Sequence, residues 1–147
     1  MSSGLDLPLY LTNAADGSGD FYITEKGGRI KRVTPGGTVS TFLDISDKVA
    51  GGCEPGLLDL AFPHNYKQAG FFYVQYNAKD FSLTTARYSA NPTTKTADSS
   101  SGKVVLSVPH PNECNHNGGW IGFDPKDGYL YVWGWRQPRR PQRACPG

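Results

Sequence analysis

A repeated pair of short strands constrains this chain more than any other feature of its sequence. A turn followed by an aromatic-rich strand occurs three times, and the tyrosines taken as matched positions recur at intervals of about fifty to sixty residues. The second and third copies are each preceded by another similar strand, at 56–62 and 119–123, so two consecutive strands repeat together. A four-stranded propeller blade occupies about 40–50 residues, and longer loops account for the excess. The aromatic segments are 19–23 with Tyr22, 70–74 with Tyr73 and 127–132 with Tyr131.

The remaining apolar segments complete an all-β pattern. Residues 29–33 and 39–43 flank a Thr-Pro-Gly-Gly turn and predict a hairpin. Segments 83–88 and 104–108 lie on either side of the polar stretch 91–102, which is predicted to be a surface loop, with a domain linker as the alternative. Helical spacing of apolar residues over ten or more positions does not occur. The sequence therefore predicts an all-β fold and, more narrowly, part of a β-propeller.

Composition sets the broad class of the protein. With 147 residues the chain can bury a core, but it is short for a complete ring of blades. Its 18 glycines and 11 prolines fit a turn-rich fold, while 12% aromatic residues argue against disorder. No stretch approaches the roughly 20 apolar residues that span a bilayer, so no membrane span is predicted. The first residues also lack the charged start and apolar core of a signal peptide.

The net charge of +2 arises from the end of the chain. Four arginines lie there, and the body without them is slightly acidic. Nucleic-acid binding needs a basic face, which the body does not have, so no nucleic-acid partner is predicted. The arginines are Arg136, Arg139, Arg140 and Arg143.

The run 115–119, Asn-His-Asn-Gly-Gly, is the most informative candidate site. It precedes a strand of the repeated type, and the loop that enters an innermost propeller strand faces the central channel. His116 is singled out because an imidazole with a pKa near 6.5 can accept a proton at neutral pH; the alternative is a surface turn residue. Glu54 occupies the equivalent position one unit earlier, so both side chains are expected on one rim. The alternative for Glu54 is a solvated turn carboxylate.

The three cysteines do not have the spacing of a zinc site or of a disulfide framework. Cys53 and Cys114 each precede a candidate residue or run, so a disulfide between them and two separate thiols both stay open. His64 and His110 are interpreted as loop residues. No phosphate-binding loop, nucleophile elbow or paired metal-ligand motif is present in the sequence.

Taken in order, these motifs resemble the glucose/sorbosone dehydrogenase family, which includes aldose sugar dehydrogenases and Hedgehog-interacting-protein-like propellers. The resemblance covers about residues 9–132 and implies the first two to three blades of a six-bladed propeller. We therefore expect residues 5–132 to form the N-terminal part of such a domain. The motifs are Leu-Thr-Asn-Ala-Ala-Asp-Gly-Ser-Gly at 11–19, Gly-Gly-Arg-Ile at 27–30, Phe-Leu-Asp-Ile at 42–45, Gly-Leu-Leu-x-Leu-Ala-Phe at 56–62, the run 115–119 and Asp-Gly-Tyr-Leu-Tyr-Val at 127–132.

The resemblance implies a quinoprotein that binds pyrroloquinoline quinone (PQQ) and calcium and oxidises the C1 hydroxyl of aldoses. His116 matches the histidine that takes the hydroxyl proton, while the cofactor supplies the redox chemistry. Asn115 matches its neighbour on the cofactor side, and Glu54 stands where the family often has a polar residue that contacts the quinone. The expected partners are a sugar and an electron acceptor. The alternative is a non-catalytic propeller of the same family that binds a protein or a glycan.

Departures from the family pattern limit what the resemblance implies. The family usually has His-Pro where this chain has Pro63 and His64, and glycine where it has Asp59. Its cationic quinone-binding residues and calcium ligands lie in later blades, so no metal ligand is assigned here and the chain alone is predicted to be inactive. The family is commonly periplasmic or secreted, which implies export.

The last residues of the sequence depart from the family altogether. After residue 132 the family continues with a Gly-Asp-Gly-Gly run, whereas this chain has a basic segment at 133–147. Codons for that segment, read one nucleotide later, can encode the family pattern, which is the basis for a frameshift hypothesis. Sequencing the transcript across the Val132 codon tests it.

Overall fold

The computed structural model describes residues 4–109 and 117–134. Within these ranges the chain forms short strands and a single-turn helix, and none of the helices described is long and apolar enough to cross a membrane. The elements are β1 Pro8–Asn13, β2 Phe21–Glu25, β3 Arg29–Val33, β4 Val39–Asp44, β5 Leu57–Ala61, α1 Tyr66–Ala69, β6 Phe71–Asn77, β7 Leu83–Asn91, β8 Thr96–Ala97, β9 Lys103–Val108, β10 Trp120–Phe123 and β11 Leu130–Trp133.

The strands form three successive antiparallel sheets. The first has the order β1-β2-β3-β4, the second places β5, β6, β7 and β9 side by side, and the third pairs β10 with β11. The first strands of the three sheets also meet, because β5 lies against both β1 and β10. Sheets whose first strands gather around one line are the blades of a propeller. The predicted all-β fold and partial propeller are therefore confirmed.

Aromatic side chains fill the space between the first two sheets. Tyr22 lies 4.8 Å from Phe42 and 4.8 Å from Phe62, and Phe42 lies 5.0 Å from Phe72, measured between ring centroids. Burying each such ring contributes roughly 2–3 kcal/mol. The aromatic residues of the repeated strands thus pack one sheet against the next.

The matched tyrosines of the first two aromatic strands face the same way in their sheets. Tyr22 of β2 lies 4.8 Å from Phe62, which follows β5, and Tyr73 of β6 lies 5.7 Å from Phe123 of β10, measured between ring centroids. Each of these tyrosines therefore packs on the next sheet along the chain, which agrees with matching them. Tyr22 is fully buried, Tyr73 is partly buried and Tyr131 is 49% exposed.

The polar stretch 91–102 has more structure than a plain surface loop. Asn91 begins a turn in which its side-chain oxygen accepts the N–H groups of Thr93 and Thr94, and β8 then pairs back onto the end of β7. Lys95, at the tip of this hairpin, forms an ion pair with Asp16 in the loop between β1 and β2. The stretch is thus an ordered hairpin that also contacts the first sheet. Neither this hairpin nor the single turn α1 is long enough to give a recognisable period in the sequence.

Candidate functional site

The first strands of the second and third sheets run side by side in the same direction. Asn117 contacts the end of β6 beside the start of β5, a Cβ at Gly119 would lie 3.2 Å from the Cβ of Leu58, and the Ile121 N–H donates to Asp59 Oδ2 at 2.8 Å. The contacts advance along both strands together, so β5 and β10 are parallel. Gly56 and the segment 117–119, which directly precede these strands, therefore lie on the same rim of the molecule.

Asn77, the last residue of β6, joins the two loops on this rim. Its side chain is fully buried, and its Nδ2 donates to Oδ1 of Asn117 at 2.9 Å. Its Oδ1 accepts the Gly56 N–H at 3.3 Å, and its backbone N–H donates to the Gly56 carbonyl at 3.0 Å. Buried polar groups are stable only when they are hydrogen-bonded. Asn77 satisfies that requirement by holding the loop before β5 next to the loop before β10.

The turn after β2 supports the same rim from the first sheet. Lys26 accepts the Leu57 N–H on its carbonyl at 3.1 Å and donates its own N–H to the Leu7 carbonyl at 3.0 Å, next to the starts of β5 and β1. Its Nζ donates to the carbonyl of Cys53. A Cβ at Gly56 would lie 2.8 Å from the Lys26 carbonyl oxygen, so the close approach of these backbones requires glycine there.

The residues predicted for the site are only partly within the described structure. Glu54 lies on this rim in the loop before β5 and is exposed. His116 and Asn115 lie outside the described residues, and so does Cys114, so the pairing of the cysteines stays a prediction. The neighbouring residue Asn117 is described, and it is 5% exposed.

His64 is placed far from this rim. It follows the opposite end of β5, where its ring lies 6.4 Å from that of Phe123. This placement agrees with its interpretation as a loop residue. Within the described ranges, no group of three or more His, Cys, Asp or Glu side chains is arranged to hold a metal ion.

Sequence reasoning missed two buried polar residues that organise the rim. One is Asn77, whose only signal is an amide that ends an otherwise aromatic strand. The other is Asp59, noted from the sequence only as a departure from the family pattern. Its side chain is buried at the contact between β5 and β10, and its Oδ1 accepts the Leu60 N–H at 2.7 Å. Burial raises the pKa of Asp59 to about 7, although the hydrogen bonds from Ile121 and Leu60 lower it.

The three sheets around a shared line and the polar rim define this chain as part of a β-propeller. The family model described as glucose/sorbosone dehydrogenase matches residues 5–142. The chain belongs to that family. The match continues into the segment predicted to be a non-homologous tail, and the division of the chain at residue 132 stays a prediction.

The match with named relatives covers most of this chain but only a small part of the relatives' own length. The chain is 35% identical to Hedgehog-interacting protein of Homo sapiens and of Mus musculus, over 88% of this chain and 21% of that protein. The chain therefore spans about a fifth of the length of these relatives.

Two solved structures share the fold. The PQQ-bound form of aldose sugar dehydrogenase from Streptomyces coelicolor superposes with a TM-score of 0.74 at 24% identity, over 89% of this chain and 38% of that chain. A Thermus thermophilus protein described as an oxidoreductase (glucose dehydrogenase) superposes with a TM-score of 0.73 at 29% identity, over 88% of this chain and 37% of that chain.

Proposed function

We propose that this chain is part of a quinoprotein oxidoreductase that oxidises the C1 hydroxyl of aldose sugars with PQQ. The observation that carries the proposal is the hydrogen bond between Asn77 and Asn117. It brings the loop that contains Glu54 next to Asn117, the residue that follows His116 in the sequence. A rim assembled from loops before the innermost strands is where propellers bind ligands.

Each candidate residue has a distinct role in the proposed reaction. His116 accepts the proton of the C1 hydroxyl, which makes the C1 hydrogen easier to transfer as hydride. Asn115 and Glu54 contact the cofactor and orient it. PQQ, when bound, supplies the two-electron acceptor that no side chain can provide. Asn77 does not touch the substrate in this scheme; it holds Asn117, the residue next to His116 in the sequence.

The charge of the rim fits a quinone only in part. PQQ is an anionic cofactor, and the cation described on this rim is Lys26, whose Nζ reaches the loop of Glu54. Backbone N–H groups and asparagine amides add neutral donors. In the family that the chain resembles, further cationic residues and the calcium ligands lie in later blades, so we propose that this chain is inactive by itself. We also propose, from the family resemblance, that the working protein is extracellular or periplasmic.

A chimera tests the proposal directly. Residues 5–134 would replace the superposable part of the Streptomyces coelicolor enzyme, and turnover would be measured with PQQ, calcium, an aldose and a dye acceptor. We expect turnover in the chimera and none in the isolated chain. His116→Gln should lower kcat by about 100-fold or more, since general-base catalysis contributes roughly that much.

The matched control is His64→Gln, which changes the same residue type at the opposite rim. It should leave kcat within about twofold. A folded chimera, as judged by its thermal melt, in which His116→Gln retains full kcat would contradict the assignment of the base. A folded chimera with no turnover at all would contradict the enzyme function of this segment.

A second function is supported by a different observation. Hedgehog-interacting protein is 35% identical to this chain, more than either superposed solved structure. The alternative proposal is therefore a non-catalytic propeller that binds a protein or a glycan. It predicts a folded chimera that does not turn over sugar, and that His116→Gln has no effect beyond stability.

A further inference from the structure

Three buried polar side chains of the second sheet face the third sheet. Asp59, Gln75 and Asn77 are each fully buried; Gln75 lies directly opposite Asp59 in the β5–β6 ladder, and Asn77 follows two residues later on the same face. We call these three residues the inter-sheet seam. They reach the Ile121 N–H, the Trp133 carbonyl and the Asn117 side chain, respectively. Because each contact is directional, the seam fixes the register of the third sheet in a way that apolar packing does not.

Asp59 is the one acidic member of the seam. Oδ2 accepts the Ile121 N–H at 2.8 Å and Oδ1 accepts the Leu60 N–H at 2.7 Å. In the described part of the chain, none of the ion pairs involves Asp59. A buried carboxylate compensated by two N–H donors and no cation is costly, and such a group tends to take up a proton instead.

Gln75 has an oxygen that could accept a hydrogen bond from a protonated Asp59. Its Nε2 donates weakly to the Trp133 carbonyl at 3.5 Å, but its Oε1 is buried without a hydrogen-bond partner in the described structure. Residues directly opposite on antiparallel strands have Cβ atoms about 4.5–5.5 Å apart, within reach for side-chain hydrogen bonds. A protonated carboxyl has the O–H donor that a carboxylate lacks. Protonation of Asp59 would therefore satisfy the unpaired oxygen of Gln75.

We propose that Asp59 is a proton-dependent latch between the second and third sheets. In the latched state the carboxyl carries a proton that it donates to Gln75 Oε1, while its oxygens continue to accept the N–H groups of Leu60 and Ile121. Release of that proton to solvent leaves a buried charge, and the attachment of β10 to β5 weakens. The latch acts on sheet packing and on the position of Asn117, whether or not the rim binds a quinone.

The surroundings of Asp59 agree with a latch that works near neutral pH. Burial raises its pKa to about 7 against the two N–H hydrogen bonds. From β1 it faces Tyr10, whose own pKa is raised by burial and by the charge of Asp59. On β2, which also packs against β5, Glu25 accepts the Asp6 N–H and lies 4.0 Å from Lys31. The facing groups from β6 and β10 are the neutral Gln75 and the backbone of Ile121.

The direction of the pH effect follows from these facts. With β10 detached, Asp59 is solvated and has its ordinary pKa near 4; in the latched state it holds its proton up to about pH 7. Between those values the detached form releases a proton and the latched form does not. The equilibrium constant for detachment should therefore rise by up to about tenfold per pH unit from pH 4 to 7 and level off above that.

Hydrogen exchange of the full chain tests the latch. The protection factor of the Ile121 amide, corrected for the intrinsic pH dependence of exchange, should fall by about tenfold per pH unit between pH 5 and 7. Asp59→Asn keeps the shape of the side chain without its titration, and should make that protection factor independent of pH. The matched control Asp16→Asn, which removes another largely buried carboxyl, should keep the wild-type dependence.

A second measurement uses only the wild-type chain, so it does not depend on whether the Asp59→Asn variant folds. In the wild-type chain labelled with ¹³C at aspartate, the Asp59 carboxyl signal should titrate near pH 7. Titration near pH 4, or a pH dependence of Ile121 protection that persists in Asp59→Asn, would overturn the proposal.

Discussion

The side chains of Asn77 and Asn117, 40 residues apart in the sequence, share a buried hydrogen bond of 2.9 Å. The same Asn77 carboxamide accepts the Gly56 N–H, so one side chain connects two loops that enter adjacent sheets. A neutral amide suits this place because it donates to one loop and accepts from the other. The rim therefore depends on the chemistry of this residue as well as on its size.

The substitution Asn77→Asp should separate the effect of the hydrogen-bond donor of Asn77 from the effect of its size. The aspartate side chain would be almost isosteric, but it would present an acceptor to the Asn117 oxygen in place of the Nδ2 donor. We expect the free energy of unfolding at pH 7 to fall by about 1–3 kcal/mol, as for other buried groups that lose a partner. Urea denaturation measures the change. Asn65→Ala is the control, since Asn65 is exposed and makes no side-chain capping hydrogen bond; an equal loss in both variants would refute the role of Asn77.

Gly56 should not tolerate a methyl group. Its added Cβ would lie 2.8 Å from the Lys26 carbonyl oxygen, and neither backbone can move without disturbing the hydrogen bond between Leu57 and Lys26. We expect Gly56→Ala to cost about 1–3 kcal/mol of unfolding free energy. Gly51→Ala in the same loop has open space around it and should change stability by less than about 0.5 kcal/mol. Comparing the two melting temperatures tests the close approach.

The ion pair between Asp16 and Lys95 should stabilise the fold above acidic pH. Burial opposes ionisation of Asp16, but hydrogen bonds from Lys95 and Ser18 outweigh it and lower its pKa to about 2. Because the folded pKa lies below the unfolded one, this stabilisation is present above about pH 4 and is lost as the pH falls towards 2.

Asp16→Asn should therefore be less stable than the wild type by about 2 kcal/mol at pH 6, and the difference should vanish near pH 2. Urea unfolding across this range measures it. The control is Asp47→Asn, where the carboxylate pairs with Lys48 on the surface and its side chain is 71% exposed. A pH-independent difference for Asp16→Asn would contradict the ion-pair explanation.

The open face of the third sheet should make this chain self-associate. Trp120 and Trp133 lie directly opposite each other and are 51% and 67% exposed, which forms an apolar patch on that face. Replacing both with threonine, which keeps β propensity, should weaken association by about tenfold or more, given the indole area removed. Sedimentation velocity measures it. Tyr129→Thr is the control, because Tyr129 is 71% exposed but lies before the strand, and an equal effect would show that the patch is not responsible.

The sequence predicts the strands better than their contacts. Alternating apolar residues and turn residues are local signals, so the hairpin of β3 and β4 and the repeated strand pairs could be recognised directly. The match between Tyr22 and Tyr73 also agrees with the packing, since each ring contacts a phenylalanine of the next sheet. The hydrogen bonds between sheets could not be predicted in this way, because a period of two indicates the face of a side chain and not its partner.

The site was predictable only where its residues stand next to strand starts. Glu54 could be placed on the rim because it precedes a recognisable inner strand. Asn77 and Asp59 could not, because their partners lie in another sheet and nothing in the local sequence indicates which backbone groups they meet. Buried polar contacts between blades depend on how the strands of one sheet are aligned with those of the next. Composition and residue spacing do not indicate that alignment.

The contact of Lys95 with Asp16 has a mechanical consequence. The first two sheets are fastened at the starts of their inner strands by Lys26 and, beyond the other end of β1, by this ion pair. Two anchors on opposite sides resist torsion, so these sheets should move as one rigid body. The hydrogen bonds described between the second and third sheets run along the inter-sheet seam, which makes that seam the natural hinge axis. Any swing that carries the Asn117 loop towards or away from Glu54 would pivot there.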